Sequence, residues 1–259
     1  MIEWWVLYKK EMTEMWRNYQ WLWVPLVFIM IAVMQPLSIY YMPQILKMGG
    51  NMPAGTVIEI PTPSGREVMA QVFSQYNTMG TLILVLVFMG IVSAERQNGT
   101  AVWTLVKPVS FMTYLMSKWT SMLTLASVSL AVSYGAAWYY TELLLSHADA
   151  QAVLIGLGSF ALWMMLIMTI TLFMSSLLKS PGAAAFLTLF TTVALSALTS
   201  LLPKFFTWSP VWTYRNAVSY MDKGTMAKWW GVPIAVDFAL VAALLITASI
   251  IYRRKEWQE

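Results

Sequence analysis

The residues whose types and order suggest a mechanism lie between Ser93 and Lys118. They read Glu95-Arg96-Gln97-Asn98-Gly99-Thr100, then Lys107-Pro108-Val109-Ser110, then Tyr114 and Lys118. This is a polar, turn-bearing connection between two strongly apolar segments. Gly99-Thr100 offers a turn or a helix start, and Ala101 to Val106 is an apolar helical turn carrying Trp103. Lys107-Pro108 ends that turn, because the residue before proline is biased away from helical dihedrals. A short helix lying flat with a charged edge passes a push from an outside partner to two membrane helices at once. The chemistry on offer is electrostatic and mechanical.

Few other residues compete for a role. Asp237 is the one carboxylate expected deep in a membrane segment, ~12 Å along its helix from Trp229 at ~1.5 Å per residue. It reads either as a helix–helix hydrogen bond or as a polar point on a substrate path, since ionisable groups at that depth are expensive and usually functional. His147 beside Asp149 reads as a solvated turn. The chain has no G-x-x-x-x-G-K-[ST] phosphate loop, no H-E-x-x-H, no G-x-S-x-G and no paired carboxylates in its spans. Catalysis by this chain is not expected. With no Cys and one His, a disulfide scaffold, a thiol nucleophile and a multi-histidine metal centre are excluded.

The elements that position these residues follow from composition. Of 259 residues, 59% are hydrophobic and only 11% charged, where soluble domains run near a quarter charged. An all-α membrane protein is predicted, a single transmembrane domain over residues 1–259. Residues 1–19 form a basic, Trp-bearing helix lying in the membrane interface, and its acids, with no small-residue cleavage site, argue against a removable signal peptide. Six spans follow, at about Trp21–Tyr41, within Val72–Ala94, Trp119–Leu145, Ala152–Leu178, Ala183–Leu202 and Trp229–Tyr252, each long enough for a hydrocarbon core of roughly 30 Å.

Pro25 and Pro36 should bend or stop the ends of the first span. Residues 42–75 read as the longest outer loop, with a short strand at Thr56–Ile60. Small residues Ser127, Ser129, Ala131, Ser133 and Gly135 should pack the third span against neighbours. Residues 203–228 are aromatic and amphipathic, too polar to span, and read as one or two outer surface or re-entrant helices before the sixth span. Arg253-Arg254-Lys255 reads as the stop at its end. With both termini inside, inner segments hold ten of the 16 Lys and Arg residues and the longer outer segments six. The expectation is therefore a multi-pass protein of the cytoplasmic membrane with both termini cytoplasmic.

At Glu95-x-x-x-Gly99-Thr100, Lys107-Pro108-Val109-Ser110 and Tyr114-x-x-x-Lys118, between the second and third of six spans, the chain resembles the permease subunits of ABC-2 type ABC transporters. That family commonly has a basic residue after the Pro-Val-Ser element, where this chain has Phe111. The resemblance implies that residues 95–106 form a cytoplasmic coupling helix, with Glu95, Arg96, Gly99, Thr100 and Trp103 facing a separate ATPase. It also implies that residues 1–19 are the family's interfacial elbow. The partners implied are an ATP-binding subunit, a second permease copy or related chain, and the lipid bilayer, with no nucleic acid. No cofactor is expected on this chain, and ATP and Mg belong to the partner ATPase. The function implied is export driven by ATP. Two other classes stay open: a non-transporting membrane scaffold or immunity protein, and an ion-coupled secondary transporter using Asp237.

Overall fold

A computed structural model of the chain describes residues 2–48, 63–99, 110–225 and 229–256. The described residues are all helical or in turns, and six helices are long and apolar enough to cross a membrane.

Helix α1 spans Ile2–Arg17 and is followed by a sharp corner at Tyr19, whose φ of 56° lies in the left-handed region that side chains other than glycine rarely adopt. The corner starts α2, Gln20–Met48. Pro25, Pro36 and Pro43 all lie inside α2, so the prolines expected to end the first span do not. Each removes one backbone donor, and the bonds of neighbouring turns carry the helix through.

The expected outer loop at 42–75 is shorter than predicted on both sides. Helix α3, Gly65–Gln75, begins inside it because Ser64 and Glu67 form a reciprocal cap: the Ser64 hydroxyl accepts from the Glu67 N–H at 3.3 Å and the Glu67 carboxylate accepts from the Ser64 N–H at 3.1 Å. A Cβ at position 65 would collide with the Ser146 carbonyl oxygen, so glycine is what lets this helix start against the turn at 145–149. The strand expected at Thr56–Ile60 lies outside the described residues.

The second span is a composite. After α3 comes a single π turn, Tyr76–Gly80, then α4, Thr81–Phe88, an irregular stretch at 89–92, and α5, Ser93–Gln97. The third span is α6, Phe111–Leu144, and the fourth α7, Ala150–Leu177. The fifth is α8, Pro181–Leu201. Side chains of Ser110, Asp149 and Ser180 cap the starts of α6, α7 and α8 by accepting from backbone N–H groups. Residues 203–228 contribute one helix among the described residues, α9, Val211–Lys223. It buries Thr213, Asn216, Ala217 and Met221 and packs on α7 and α3. The sixth span, α10, runs Gly231–Glu256, so helical backbone continues past the expected stop at Arg253.

Helix α7 carries no ionisable side chain and sits at the centre, packed by α10, α9, α8, α6 and α4. Around it Phe73 stacks on Tyr134 at 4.5 Å and on Phe160 at 5.0 Å, offset aromatic contacts that fix how three helices approach. Two indole N–H groups find partners across helices, Trp163 donating to Asn77 at 2.8 Å and Trp119 to Thr169 at 2.9 Å. Of the small residues expected to pack the third span, Ser129 and Ser133 are buried, while Ser127, Ala131 and Gly135 face outward. Leu22, Leu26 and Met30 on α2 and Phe186, Phe190 and Val193 on α8 point away from the core. Lipid is the solvent such a surface requires.

Candidate functional site

Glu95 and Arg96 do not open a separate surface helix. They occupy α5, the last turn of the second span, and the Asn98 N–H still bonds back to the Ala94 carbonyl at 3.0 Å. Gly99, with φ 69°, adopts the left-handed conformation that commonly ends helices. The described part of the expected coupling segment is therefore a span end and its terminator. Thr100 and Trp103 lie outside the described residues.

The last turn is set at its angle by one hydroxyl. In the irregular stretch before α5, the N–H groups of Val92 and Ser93 both donate to Ser175 of α7, at 3.1 Å each, while Ser175 donates to the Met89 carbonyl at 2.8 Å. Arg96 adds a 3.4 Å bond to the Ser176 carbonyl. These contacts satisfy backbone groups that would otherwise be stranded in an apolar bundle.

Glu95 is the hub of a charge network joining three elements. Its carboxylate receives Lys10 of α1 at 2.7 Å, Lys118 of α6 at 2.9 Å and the Tyr114 hydroxyl. Lys118 also reaches Glu11 of α1 at 2.9 Å, and Lys10 lies 3.3 Å from Glu11. The Lys118 and Glu11 side chains are only 1% and 5% exposed. A lysine so buried is tolerable only because two carboxylates and the face of the Tyr114 ring, 5.1 Å away, replace its water. Partial burial acts to lower the pKa of Lys10, but the charges of Glu11, Glu95 and Glu14 outweigh it and hold the ammonium above its ordinary value. Glu14 completes a cluster in which carboxylate oxygens of Glu11, Glu14 and Glu95 lie within 4.8 Å of one another. Lys118 already bridges two of these three acids.

Sequence reasoning singled out Glu95, for a coupling role, but not Glu11. The signal was present: Leu7, Glu11 and Met15 repeat every four residues, so Glu11 shares the face that α1 buries. The aromatic residues Trp5 and Trp16 point outward at 50% and 71% exposed. That outward placement, with Lys9 5.5 Å over the Trp5 ring, suits a helix at a membrane surface.

The remaining candidates lie elsewhere. Asp237 of α10 is fully buried, and among the described residues neither carboxylate oxygen meets a partner at hydrogen-bond geometry. Thr213 of α9 is the hydroxyl placed to donate to it, just outside that geometry. At the end of the bundle away from Glu95, His147 pairs with Glu142 at 3.0 Å rather than with Asp149, and Asp149 meets Arg66 at 3.5 Å. The structure therefore brings together Glu95, Glu11, Lys10 and Lys118, and leaves Asp237 apart.

No protein-family model matches the chain. It is 33% identical over 252 residues to the uncharacterized transmembrane protein YxlG of Bacillus subtilis (strain 168), and the match covers 97% of both chains. With six helices of membrane-crossing length and an alignment running almost end to end, this is a multi-pass membrane protein that belongs to the family of the transmembrane protein YxlG.

Proposed function

We propose that the chain is the permease subunit of an ATP-driven exporter of the ABC-2 type, working in the cytoplasmic membrane with both termini in the cytoplasm. A separate ATP-binding subunit would carry ATP and Mg, and a second permease copy or related chain would complete the path. The observation that carries the reading is the hub at Glu95. The segment that resembles the family's coupling element begins at a point tied by ion pairs to α1 and α6 and by Ser175 to α7. A displacement of that point by a partner therefore acts on four elements together, which is what coupling to ATP hydrolysis requires. In this assignment Glu95 positions the contact, and Arg96, Gly99, Thr100 and Trp103 present it.

Affinity purification of the tagged chain from its native membrane, followed by mass spectrometry, tests the assignment. Recovery of an ATPase subunit in roughly equal amount is expected, and Trp103→Glu should abolish that recovery without changing the amount of chain in the membrane. Recovery of the chain alone would remove the transporter reading. A second reading, transport coupled to an ion gradient, rests on Asp237, the carboxylate buried in the sixth span with no ion-pair partner among the described residues. It requires uptake or efflux that follows an ion gradient in the absence of ATP.

A further inference from the structure

Two glutamine side chains sit on the surface of the bundle at a depth that water does not reach. Gln35 belongs to α2 and Gln71 to α3, and the Gln35 amide N–H donates to the Gln71 amide oxygen. Gln71 is exposed and Gln35 half-buried. At ~1.5 Å per residue, Gln35 lies about 15 Å from the Ile45 end of the span Gln20–Ile45. That span is roughly 39 Å long against a hydrocarbon core of roughly 30 Å, so the amide stands about 10 Å inside the apolar layer. Lipid tails offer an amide no hydrogen bond, and glutamines at such depth bond across helices instead.

The pair is only half satisfied. A side-chain amide both donates and accepts, and the bond within the pair leaves the Gln71 N–H groups and the Gln35 oxygen without a partner among the described residues. A donor and an acceptor therefore stand side by side on neighbouring helices. A second copy of the chain, turned about a two-fold axis along the membrane normal, brings the complement: Gln71 of each copy donates to Gln35 of the other. The amides then close a ring, with bonds inside each copy and bonds between them. Such an exchange of roles is what a two-fold interface demands, and reversing every amide leaves the ring intact. The surroundings allow the approach. Ser74 and Thr78 are exposed beyond Gln71, and their hydroxyls bond back to the Ala70 carbonyl at 3.4 Å and the Ser74 carbonyl at 3.3 Å, so they add small side chains and no unmet group. Neither Gln20–Ile45 nor residues 68–94 contain a charged side chain, so identical faces meet without repulsion.

We propose that α2 and α3 form the surface on which a second copy of this chain docks, held within the membrane by a ring of amides from Gln35 and Gln71. The inference deepens the permease reading, and rests on it for its role, by choosing an identical chain over a related one and naming the face it covers. A cargo molecule or a different chain would have to supply a donor and an acceptor at this spacing. A second copy carries both.

The chain has no cysteine, so a single introduced thiol reports one position. In native membranes a short bifunctional maleimide should join Ser74→Cys, next to Gln71 on the exposed face of α3, into a product of two copies, and should leave Phe238→Cys, at an exposed site on α10, as single chains. Adding Gln35→Leu and Gln71→Leu to Ser74→Cys should lower the cross-linked fraction by about tenfold, the worth of two hydrogen bonds between helices. Leucine suits a lipid-facing site, so the amount of chain in the membrane, read alongside, should not change. A Ser74→Cys product no more abundant than that of Phe238→Cys overturns the proposal. A product that survives the loss of both amides, or one that contains a different chain, overturns it as well. Recovery of an ATPase bears on the permease reading alone and the cross-link on the pairing alone, so the two fail separately.

Discussion

The two ends of the helix bundle use the same kinds of charged residue for different purposes. At the Glu95 end, Lys118 and Glu11 are 1% and 5% exposed and sit within a network spanning three elements. At the opposite end, Arg66 and Asp149 meet at 3.5 Å with 36% and 52% of their side chains exposed, and His147 pairs with Glu142 while 79% exposed. Water competes for every one of these charges at the second end and hardly at all for Lys118 and Glu11 at the first. An exposed pair contributes at most ~1 kcal/mol, whereas a buried pair that loses one member leaves a charge that nothing solvates. The same formal interaction is structural at one end and nearly optional at the other.

Breaking the buried side of this contrast should have the largest effect. Lys118→Met leaves Glu11 and Glu95 without their shared cation and should cost about 3–5 kcal/mol, seen as a large fall in the thermal midpoint of the detergent-solubilised protein or as loss of folded protein. Adding Glu11→Gln to Lys118→Met should recover part of that loss, since it removes one stranded charge. A Lys118→Met variant that melts like the wild type would mean that the network holds nothing together.

Lys10 sharpens the contrast because it stands between the two regimes, 41% exposed yet paired to buried carboxylates. Its pKa lies above the ordinary 10.5, so the ammonium contributes stability fully below that pH and loses it as pH rises through the folded value. Lys10→Met should therefore lower the midpoint by an amount equivalent to about 0.5–1 kcal/mol at neutral pH. The difference from wild type should vanish in strongly alkaline buffer, and a difference that persists there would assign the effect to packing of the lysine stem. The smallest effect is expected at the exposed end, where Arg66→Met should change stability by less than about 0.5 kcal/mol, within the error of most thermal scans.

How much of this the amino-acid order discloses depends on the range of the interaction. The six spans are legible because each is a long apolar run, and α7 in particular has no ionisable residue to interrupt it. Span ends are less so. The start of α3 is written locally as Ser64-x-x-Glu67, a capping box inside what otherwise reads as a Pro- and Gly-rich loop. The extension of α2 through Pro43 has no comparable mark, since proline argues against it and only neighbouring helices permit it. The site divides in the same way. Glu95 stands out in a polar stretch, but its partners come from 85 and 23 residues away, at Lys10 and Lys118. No periodicity relates residues that far apart; only the packing of α1 on α6 brings them together.

The π turn at Tyr76–Gly80 ties these observations to the length of the chain. Such a turn winds one more residue into the helix than its neighbours do, and so sets the angular phase of everything that follows. Removing one residue between positions 76 and 80 would let the turn relax to ordinary α winding, because about five residues at π winding turn the chain as far as about four at ~100° each. Leu84, Val85 and Phe88 would then keep their places in the core, and Glu95 its place beside Lys118. A deletion within Thr81–Phe88 has no such slack and would rotate everything beyond it by about 100°, so the π turn is the joint at which this span can lose a residue.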